Sequence, residues 1–328
     1  GTSGVYPLQD PRCNDFRAFC DMRGDEGWTL ALKDRGDTSS LNYDDPLWTN
    51  GVTFFEDLAD LDAQEAKLRS FNDLPLTEVK LAMTDDLSPG DKLLSEFQEL
   101  VVSRRAPSLL NVFQPGSSTS TSAGRDAWKA LLPGSSLQDH CDREGFNISA
   151  GNTRVRLGIL SNNETNCSSP DSRLGIGGKG SACGQDDDLS AGNTARCSPD
   201  NGDVDLPALA ALYVRTPAPT LALHLPLNGD LGDRSTNGND AVALGSPTNF
   251  IAGPSGFVAQ DKAARFTSQS DYLSVAADPS LDVTGGLTVA MWVFLESNPD
   301  VDGADNWRTV LRKGDASSTT TGFHVVLE

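Results

Sequence analysis

Short apolar runs separated by turn-forming residues dominate the first part of the chain. The first three runs cover residues 5–8, 16–22 and 28–32, and the segment 23–27 before the third run carries glycines. Runs of this length, rich in β-prone residues and broken by glycine turns, are typical of antiparallel strands. The pattern therefore predicts strands and turns near the N-terminus, whereas leucines at helical spacing predict a helix over 91–103.

The polar segment 161–203 differs from the rest, because it holds few large apolar residues apart from Leu174 and Ile176. A long irregular segment inside a compact domain is usually functional, or is held in place by disulfides or ions. We therefore expect exposed, cross-linked loops in this part of the chain.

Two prolines, Pro217 and Pro219, mark the main boundary in the sequence. Each proline fixes its own φ angle and disfavours a helix, which predicts a stiff linker over 217–220. Because 328 residues suit two domains, we expect a first domain at 1–216 and a second at 221–328. Strand-like runs and turns alternate throughout the second region, which predicts an all-β sandwich.

The net charge of −20 comes from 46 acidic and 26 basic residues. This charge repels nucleic acids and anionic lipids, and no basic stripe compensates for it. No apolar run approaches the roughly 20 residues that a membrane-spanning helix needs. We therefore expect neither a nucleic-acid partner nor membrane insertion.

Six cysteines lie in the first domain, and none belongs to a close CxxC pair of the kind that binds zinc. The three histidines also lack a ligand spacing. We therefore expect disulfides and an extracellular or cell-surface location. Of the many possible pairings, one joins Cys13 to Cys20, Cys141 to Cys167, and Cys183 to Cys197.

Three N-glycosylation sequons cluster in the cysteine-bearing region, and they begin at Asn147, Asn163 and Asn166. Used sequons lie on exposed surfaces of secreted proteins, but the pattern also arises by chance. The clustering favours an exposed region of a secreted glycoprotein.

Several blocks of the first domain resemble fibrinogen-like and intelectin-like domains. They include Gly4-Val5-Tyr6, Cys20-Asp21-Met22, Gly27-Trp28-Thr29-Leu30 and the closing run Ala211-Leu212-Tyr213-Val214-Arg215. The resemblance extends over residues 1–216. It implies an α+β fibrinogen-like fold and an extracellular binding module rather than an enzyme.

This resemblance also implies bound calcium. It aligns Asp44 and Asp45, and the acidic run Asp186, Asp187 and Asp188, with calcium-ligand regions that meet in the family's fold. Carboxylate oxygens are ligands that calcium prefers. The alternative interpretation of the acidic run is a solvated turn.

A glycine run points to a ligand site in the same domain. Intelectin-like domains hold sugar diols on calcium beside such a run, which here reads Gly175-Ile176-Gly177-Gly178. This chain has Asp171 and Arg173 in place of the family's histidines. These two residues are therefore candidates for binding a different ligand, with a structural loop as the alternative.

The second domain resembles laminin-G-like modules with a concanavalin-type jelly roll. The similar runs cover 263–266, 271–275, 287–293 and 308–313. The resemblance implies an all-β jelly-roll sandwich, which we expect to be incomplete because such modules usually contain more strands. A polar turn before these runs supplies further candidate calcium ligands, although asparagine and aspartate also favour turns. These candidates are Asn228, Asp230, Asp233, Asn237, Asn239 and Asp240.

The chain contains no GxSxG elbow, P-loop or HExxH pattern, so we do not expect an enzyme. The sequence predicts an extracellular, calcium-stabilised recognition or adhesion protein that binds a glycan or an extracellular matrix protein. The alternative is a structural subunit of an extracellular filament or cell-surface appendage. In that case copies of the chain itself are the partners.

Overall fold

The chain forms two compact units, Gly1–Pro219 and Thr220–Glu328. All strand pairs between named strands in the described residues are antiparallel, and they supply most of the regular structure of both units. The predominance of strands that the alternating pattern predicts is therefore confirmed. The computed structural model describes residues 1–10, 14–24, 27–187, 189–217, 221–245, 249–252, 262–267, 271–282, 289–291, 293, 308–313 and 324–327.

Two sheets build the first unit. Its strands are β1 (Gly4–Gln9), β2 (Asp15–Asp21), β3 (Trp28–Arg35), β4 (Ala66–Lys67), β5 (Leu76–Thr84), β6 (Gln98–Ala106), β7 (Thr119–Ser120), β8 (His140–Ala150), β9 (Thr153–Asn162), β10 (Ser172–Ile176), β11 (Gly180–Ala182), β12 (Gln185–Asp187), β13 (Ala191–Ala195), β14 (Val204–Pro207) and β15 (Leu209–Arg215). The strands predicted at the N-terminus are confirmed as β1, β2 and β3.

The first sheet has the order β1-β2-β3-β15-β5-β6, with β4 beside β3. The second sheet has the order β14-β13-β10-β9-β8-β7, and β11 and β12 form a separate hairpin. Strand β15 lies between β3 and β5. The last strand of the first unit, β15, therefore lies in the middle of the sheet that begins with β1.

The helices of the first unit are short. They are α1 (Arg69–Asp73), α2 (Leu109–Phe113) and α3 (Arg125–Lys129), with 3-10 turns at Pro46–Trp48 and Leu94–Glu96. The predicted helix over 91–103 is wrong, because its second half belongs to β6, which pairs along β5. None of the helices in the described part of the chain is both long and apolar enough to cross a bilayer.

Aromatic side chains from three separate segments meet in the hydrophobic core of the first unit. Trp48 packs edge-on against Phe113, with ring centroids 4.9 Å apart, and Phe113 stacks on Phe71 at 5.8 Å. All three are fully buried, and each aromatic pair contributes about 0.5–1.5 kcal/mol beyond its buried area. Trp48 Nε1 also donates a hydrogen bond to Leu41 O at 2.9 Å. This packing fixes the loop 41–48, which carries two predicted calcium ligands.

The second unit consists of shorter strands. They are β16 (Ala241–Leu244), β17 (Asn249–Ala252), β18 (Lys262–Arg265), β19 (Tyr272–Val275), β20 (Arg308–Arg312) and β21 (His324–Leu327). These strands pair as β16 with β19, β17 with β18, and β20 with β21. Of the predicted strand 287–293, residues 289–291 and 293 are described and belong to no strand, whereas 287, 288 and 292 lie outside the described residues. The jelly-roll sandwich therefore stays a prediction.

Candidate functional site

The glycine run at the end of β10 brings two distant loops together. Gly177 has a φ of +68°, and a Cβ atom there would lie 2.4 Å from Cγ of Arg156. Only glycine fits both conditions. Beside it, Gly178 O accepts a hydrogen bond from Tyr43 N at 3.3 Å, and Gly178 N donates to Ser190 O at 2.7 Å. The loops 41–48 and 177–190 therefore meet at this run, which we call the glycine hub (Gly175–Gly178).

A buried carboxyl group, Asp34 in β3, lies against the glycine hub. Its side chain is fully buried, Oδ1 accepts a hydrogen bond from Ser190 Oγ at 2.7 Å, and Gly177 N also donates to it. Among the described residues Oδ2 has no hydrogen-bond partner. Burial raises the pKa of Asp34 well above its ordinary value, and the nearby carboxylates of Glu65 and Asp45 raise it further. The environment therefore favours the neutral, protonated form.

Sequence reasoning did not single out Asp34. A signal was available, since Asp34 follows a run of strand residues in which every position from Leu30 to Lys33 is buried. A charged residue inside a continuous buried strand needs either a partner or neutralisation. Pattern alone does not say which of the two applies.

The predicted calcium ligands Asp44 and Asp45 lie beside the hub, and both are engaged by the protein. Asp44 Oδ1 forms an ion pair with Arg154 at 2.9 Å, and Oδ2 forms one with Lys179 at 2.9 Å. The hydrogen bond from Lys179 is the main cause that lowers the pKa of Asp44. Asp45 accepts hydrogen bonds from Leu41 N and Leu47 N and caps the 3-10 turn that follows. A calcium ion at either carboxylate would have to displace these partners.

The hairpin β11–β12 follows the hub directly. Its two turn residues, Cys183 and Gly184, both have positive φ, as tight type I′ hairpin turns require. A disulfide from Cys183 to Cys197 ties this turn to the end of β13. The predicted ligands Asp186 and Asp187 therefore lie on strand β12 rather than in an open acidic loop, and Asp188 lies outside the described residues.

Asp171 and Arg173, the candidate ligand-binding residues, hold this region together. Asp171 Oδ1 accepts a hydrogen bond from Cys183 N at 2.8 Å. It also lies within 4.8 Å of the sulfurs of Cys183 and Cys197, but these sulfurs are bonded to each other and are not thiolate ligands. Arg173 is 2% exposed and donates to the carbonyl oxygens of Gly180 and Leu189, each at 3.3 Å. The structure places Arg173 as a buried brace for the hairpin.

Two of the three proposed cysteine pairs occur as disulfides, Cys141–Cys167 and Cys183–Cys197. The first joins the start of β8 to the polar loop before β10. One disulfide therefore links the segment 161–203 to β8, and the other closes a loop within it, as expected for a long polar stretch.

The third proposed pair, Cys13 with Cys20, is wrong, because Cys20 is a free, buried thiol. Burial raises the pKa of this thiol. Cys13 lies outside the described residues.

The three sequons occupy different environments. Asn147 is fully buried, and its Nδ2 donates to Val112 O at 3.1 Å while its Oδ1 accepts from Arg156 at 2.9 Å. A glycan cannot be attached to this side chain in the folded protein, so the prediction for Asn147 is wrong. Asn163 and Asn166 are exposed in the loop after β9, and glycosylation there stays a prediction.

The predicted calcium loop of the second unit is organised around Asp233. Asp233 Oδ1 accepts hydrogen bonds from His224 N and Ser235 N, both at 2.8 Å, and Oδ2 accepts from Asn239 N at 2.7 Å. Burial opposes ionisation of Asp233, but these hydrogen bonds hold its pKa well below the ordinary value. Asp240 in turn accepts from Asp233 N at 2.8 Å. The carboxylates therefore already stabilise the loop without an ion.

The remaining candidates in this loop also have protein partners. Asn237 and Asn239 donate to the carbonyl oxygens of Leu221 and Ala222, at 3.0 and 2.9 Å. Asn228 Oδ1 accepts from Lys262 N at 2.7 Å, and Asp230 pairs with Arg234 at 2.6 Å. The structure thus brings the predicted residues into one loop, where they act as turn-forming groups.

Comparisons with known proteins assign no family. No protein-family model matches the chain, and no curated protein matches it. The resemblance to fibrinogen-like, intelectin-like and laminin-G-like domains therefore rests on the sequence blocks alone.

Proposed function

We propose that the protein is an extracellular recognition or adhesion protein whose first unit binds a glycan or a matrix protein at the surface beside the glycine hub. In this proposal, residues 1–216 form a fibrinogen-like or intelectin-like module with an α+β fold, and residues 221–328 form a laminin-G-like module. The chain performs no catalysis.

One observation carries this proposal, namely the disulfide-tied hairpin β11–β12 beside the hub. Asp171 and the Cys183–Cys197 bond hold its turn, and the buried Arg173 donates hydrogen bonds to Gly180 O at its start and to Leu189 O after its end. A polar surface that is fixed before binding loses little conformational entropy when a ligand binds. Disulfides also support an extracellular location.

Calcium enters the proposal as a stabilising ion near β12. The proposal retains Asp186, Asp187 and Asp188 as the ligands, because carboxylate oxygens are ligands that calcium prefers. An ion that binds only the folded state raises the unfolding temperature by mass action. At an ion concentration of a hundred times Kd, the free energy of unfolding rises by about 2.7 kcal/mol. No ligand-binding step is assigned to the ion itself.

The test is a glycan array with the full chain, in calcium and in a chelator, together with thermal unfolding. We expect calcium-dependent glycan binding and a higher unfolding temperature in calcium. The double variant Asp186→Ala/Asp187→Ala should lose part of that rise, whereas the exposed control pair Asp139→Ala/Asp203→Ala should keep it. An unchanged calcium response in the first variant would remove β12 as the calcium site.

A second candidate function, a subunit of an extracellular assembly, is favoured by an apolar face on the second unit. Val242 and Leu244 of β16 and Tyr272 of β19 are 62%, 39% and 54% exposed. Leu244 pairs directly with Tyr272, so the three side chains share one face. Contiguous exposed apolar side chains favour association. If copies of the chain associate there, Val242→Ser/Tyr272→Ser should shift the sedimentation of the full chain to the monomer.

A further inference from the structure

An open groove in the first unit lies apart from the glycine hub. Its volume is about 480 Å³, which is in the range of ligand sites. One side is strand β2 and the other is the loop 56–60. The lining residues are Val5, Asp15, Phe16, Arg17, Glu56, Asp57, Ala59, Asp60 and Arg69. None of them belongs to the candidate site described above.

The backbone of β2 directs the N–H and C=O groups of Arg17 towards this groove, as the hydrogen bond of the nearby Phe19 shows. Phe19 N donates to Ala59 O at 3.0 Å, so the peptide group of Phe19 faces the loop and not β1. Hydrogen-bonding direction alternates along an antiparallel strand. Arg17, two residues earlier, therefore also points its N–H and C=O away from β1. Its partner in β1 is Pro7, which has no N–H to offer the ladder.

The charges around the groove are unequal. Its lining contains four carboxylates and two guanidinium groups, for a net charge of −2 (2 − 4 = −2). Arg69 is already engaged with Glu56, at 3.4 Å. Asp57 and Asp60 are exposed at the rim. The floor is apolar, since Phe16 and Ala59 are buried there. The groove thus combines an apolar floor, an acidic rim and a strand edge.

We propose that this groove binds an extended, basic segment of a protein partner. The segment adds to β2 as a short strand and exchanges main-chain hydrogen bonds with Arg17, and its lysine or arginine side chains lie against Asp57 and Asp60. Strand addition of this kind takes affinity from the main chain and specificity from alternate side chains. Charge complementarity selects a basic segment over an acidic one.

The test uses a synthetic peptide of alternating lysine and valine, with an alternating glutamate and valine peptide as its counterpart. Binding to the full chain is measured by fluorescence anisotropy. We expect the lysine peptide to bind and the glutamate peptide not to bind. The variant Asp57→Asn/Asp60→Asn should weaken binding about five- to tenfold, whereas Asp139→Asn/Asp203→Asn, which removes the same charge elsewhere, should leave it unchanged.

Hydrogen exchange locates the binding site independently. On peptide addition, the amide of Arg17 should exchange more slowly, because it gains a hydrogen bond. Equal weakening in both charge variants would mean unspecific attraction to the net charge of −20 and would overturn the proposal. Three other results would also overturn it. They are an Arg17 amide that exchanges at the same rate with and without the peptide, binding of the glutamate peptide with the same affinity, and no binding of the lysine peptide.

Discussion

Two buried carboxyl groups in neighbouring strands of the first sheet, Asp21 in β2 and Asp34 in β3, have opposite environments. Asp21 is 1% exposed and Asp34 is fully buried. Asp21 forms an ion pair with Lys80 and accepts two hydrogen bonds from the guanidinium group of Arg23, at 2.8 and 2.9 Å, and a third from Arg23 N at 3.1 Å. Among the described residues, only Ser190 Oγ and Gly177 N donate hydrogen bonds to Asp34. Burial alone raises the pKa of both groups, but the cations hold the pKa of Asp21 well below its ordinary value.

The comparison shows what a buried carboxylate in this sheet needs in order to stay charged. Lys80, on β5, is itself only 2% exposed and lies 4.6 Å above the ring of Tyr213 and 5.2 Å above that of Trp28. Its ammonium group therefore reaches Asp21 across two aromatic faces, which also attract a cation. In the described part of the chain no cation pairs with Asp34, so burial decides its state and favours neutralisation. Position in the sheet matters less than the partner that another strand supplies.

The largest expected effect comes from removing the cation that supports Asp21. The substitution Lys80→Met should lower the free energy of unfolding by about 3–5 kcal/mol, because it leaves a buried carboxylate without its buried partner. Denaturation by urea, with a constant slope, measures this loss. The double variant Lys80→Met/Asp21→Asn should recover part of it. A loss below about 1 kcal/mol in the single variant would show that the buried ion pair does little for stability.

A second prediction concerns pH. The pKa of Asp34 in the unfolded chain is near 3.8 and is raised in the folded protein, so the folded state binds the proton more tightly. The contribution of Asp34 to stability is therefore complete below pH 3.8 and falls as pH rises towards the raised pKa. The slope reaches about 1.4 kcal/mol per pH unit at most. The contribution of Asp21 has the opposite sign and is lost only at pH below 3.8.

The variant Asp34→Asn should remove this slope, because asparagine is neutral at every pH. Unfolding free energies at pH 5 and pH 8 measure the effect, and Asp139→Asn, at an exposed position, serves as the matched control. We expect the difference between the two pH values to shrink in Asp34→Asn and to stay unchanged in the control. The same pH difference in the wild type and in Asp34→Asn would contradict the assignment of a raised pKa.

A third prediction removes the hydroxyl that supports Asp34. Ser190→Ala should cost about 1 kcal/mol, the typical value of one hydrogen bond. It should also raise the pKa of Asp34 further, since the charged form loses a donor. The pH-dependent loss of stability then extends to higher pH. Ser198→Ala, at an exposed position, is the control, and an identical pH profile in both variants would argue against the role of Ser190.

Local patterns predicted the strands β1, β2 and β3, because alternation acts over short distances. Cysteine usage predicted that disulfides form, but it did not fix which cysteines pair, and Cys141–Cys167 and Cys183–Cys197 belonged to one of many possible pairings. The helix predicted over 91–103 failed for a related reason. Leu100 and Val102 also fit strand alternation, and pairing with β5 decides between the two periods. Strand pairing is a long-range property that the local pattern does not contain.

The chemistry of the candidate site was harder to predict, because its partners are distant in sequence. Asp34 accepts a hydrogen bond from Ser190, 156 residues away, and the buried Asn147 donates one to Val112 O, 35 residues away. For Asn147 the short motif gave the wrong environment, whereas the residue type of Asp34 gave no sign of a buried carboxyl group. Burial of a polar residue depends on which distant segment packs over it, and composition does not report that.

The smallest expected effect concerns Arg23, the exposed partner of Asp21. Its side chain is 47% exposed, and it also pairs with Glu99 at the surface. Arg23→Gln should lower the free energy of unfolding by only about 0.2–1 kcal/mol, because water and salt screen an exposed ion pair. Added salt should shrink this difference, whereas the much larger cost of Lys80→Met should change little, since that pair is buried. If both costs respond to salt equally, Lys80 and Arg23 support Asp21 in the same way, and burial is not what separates them.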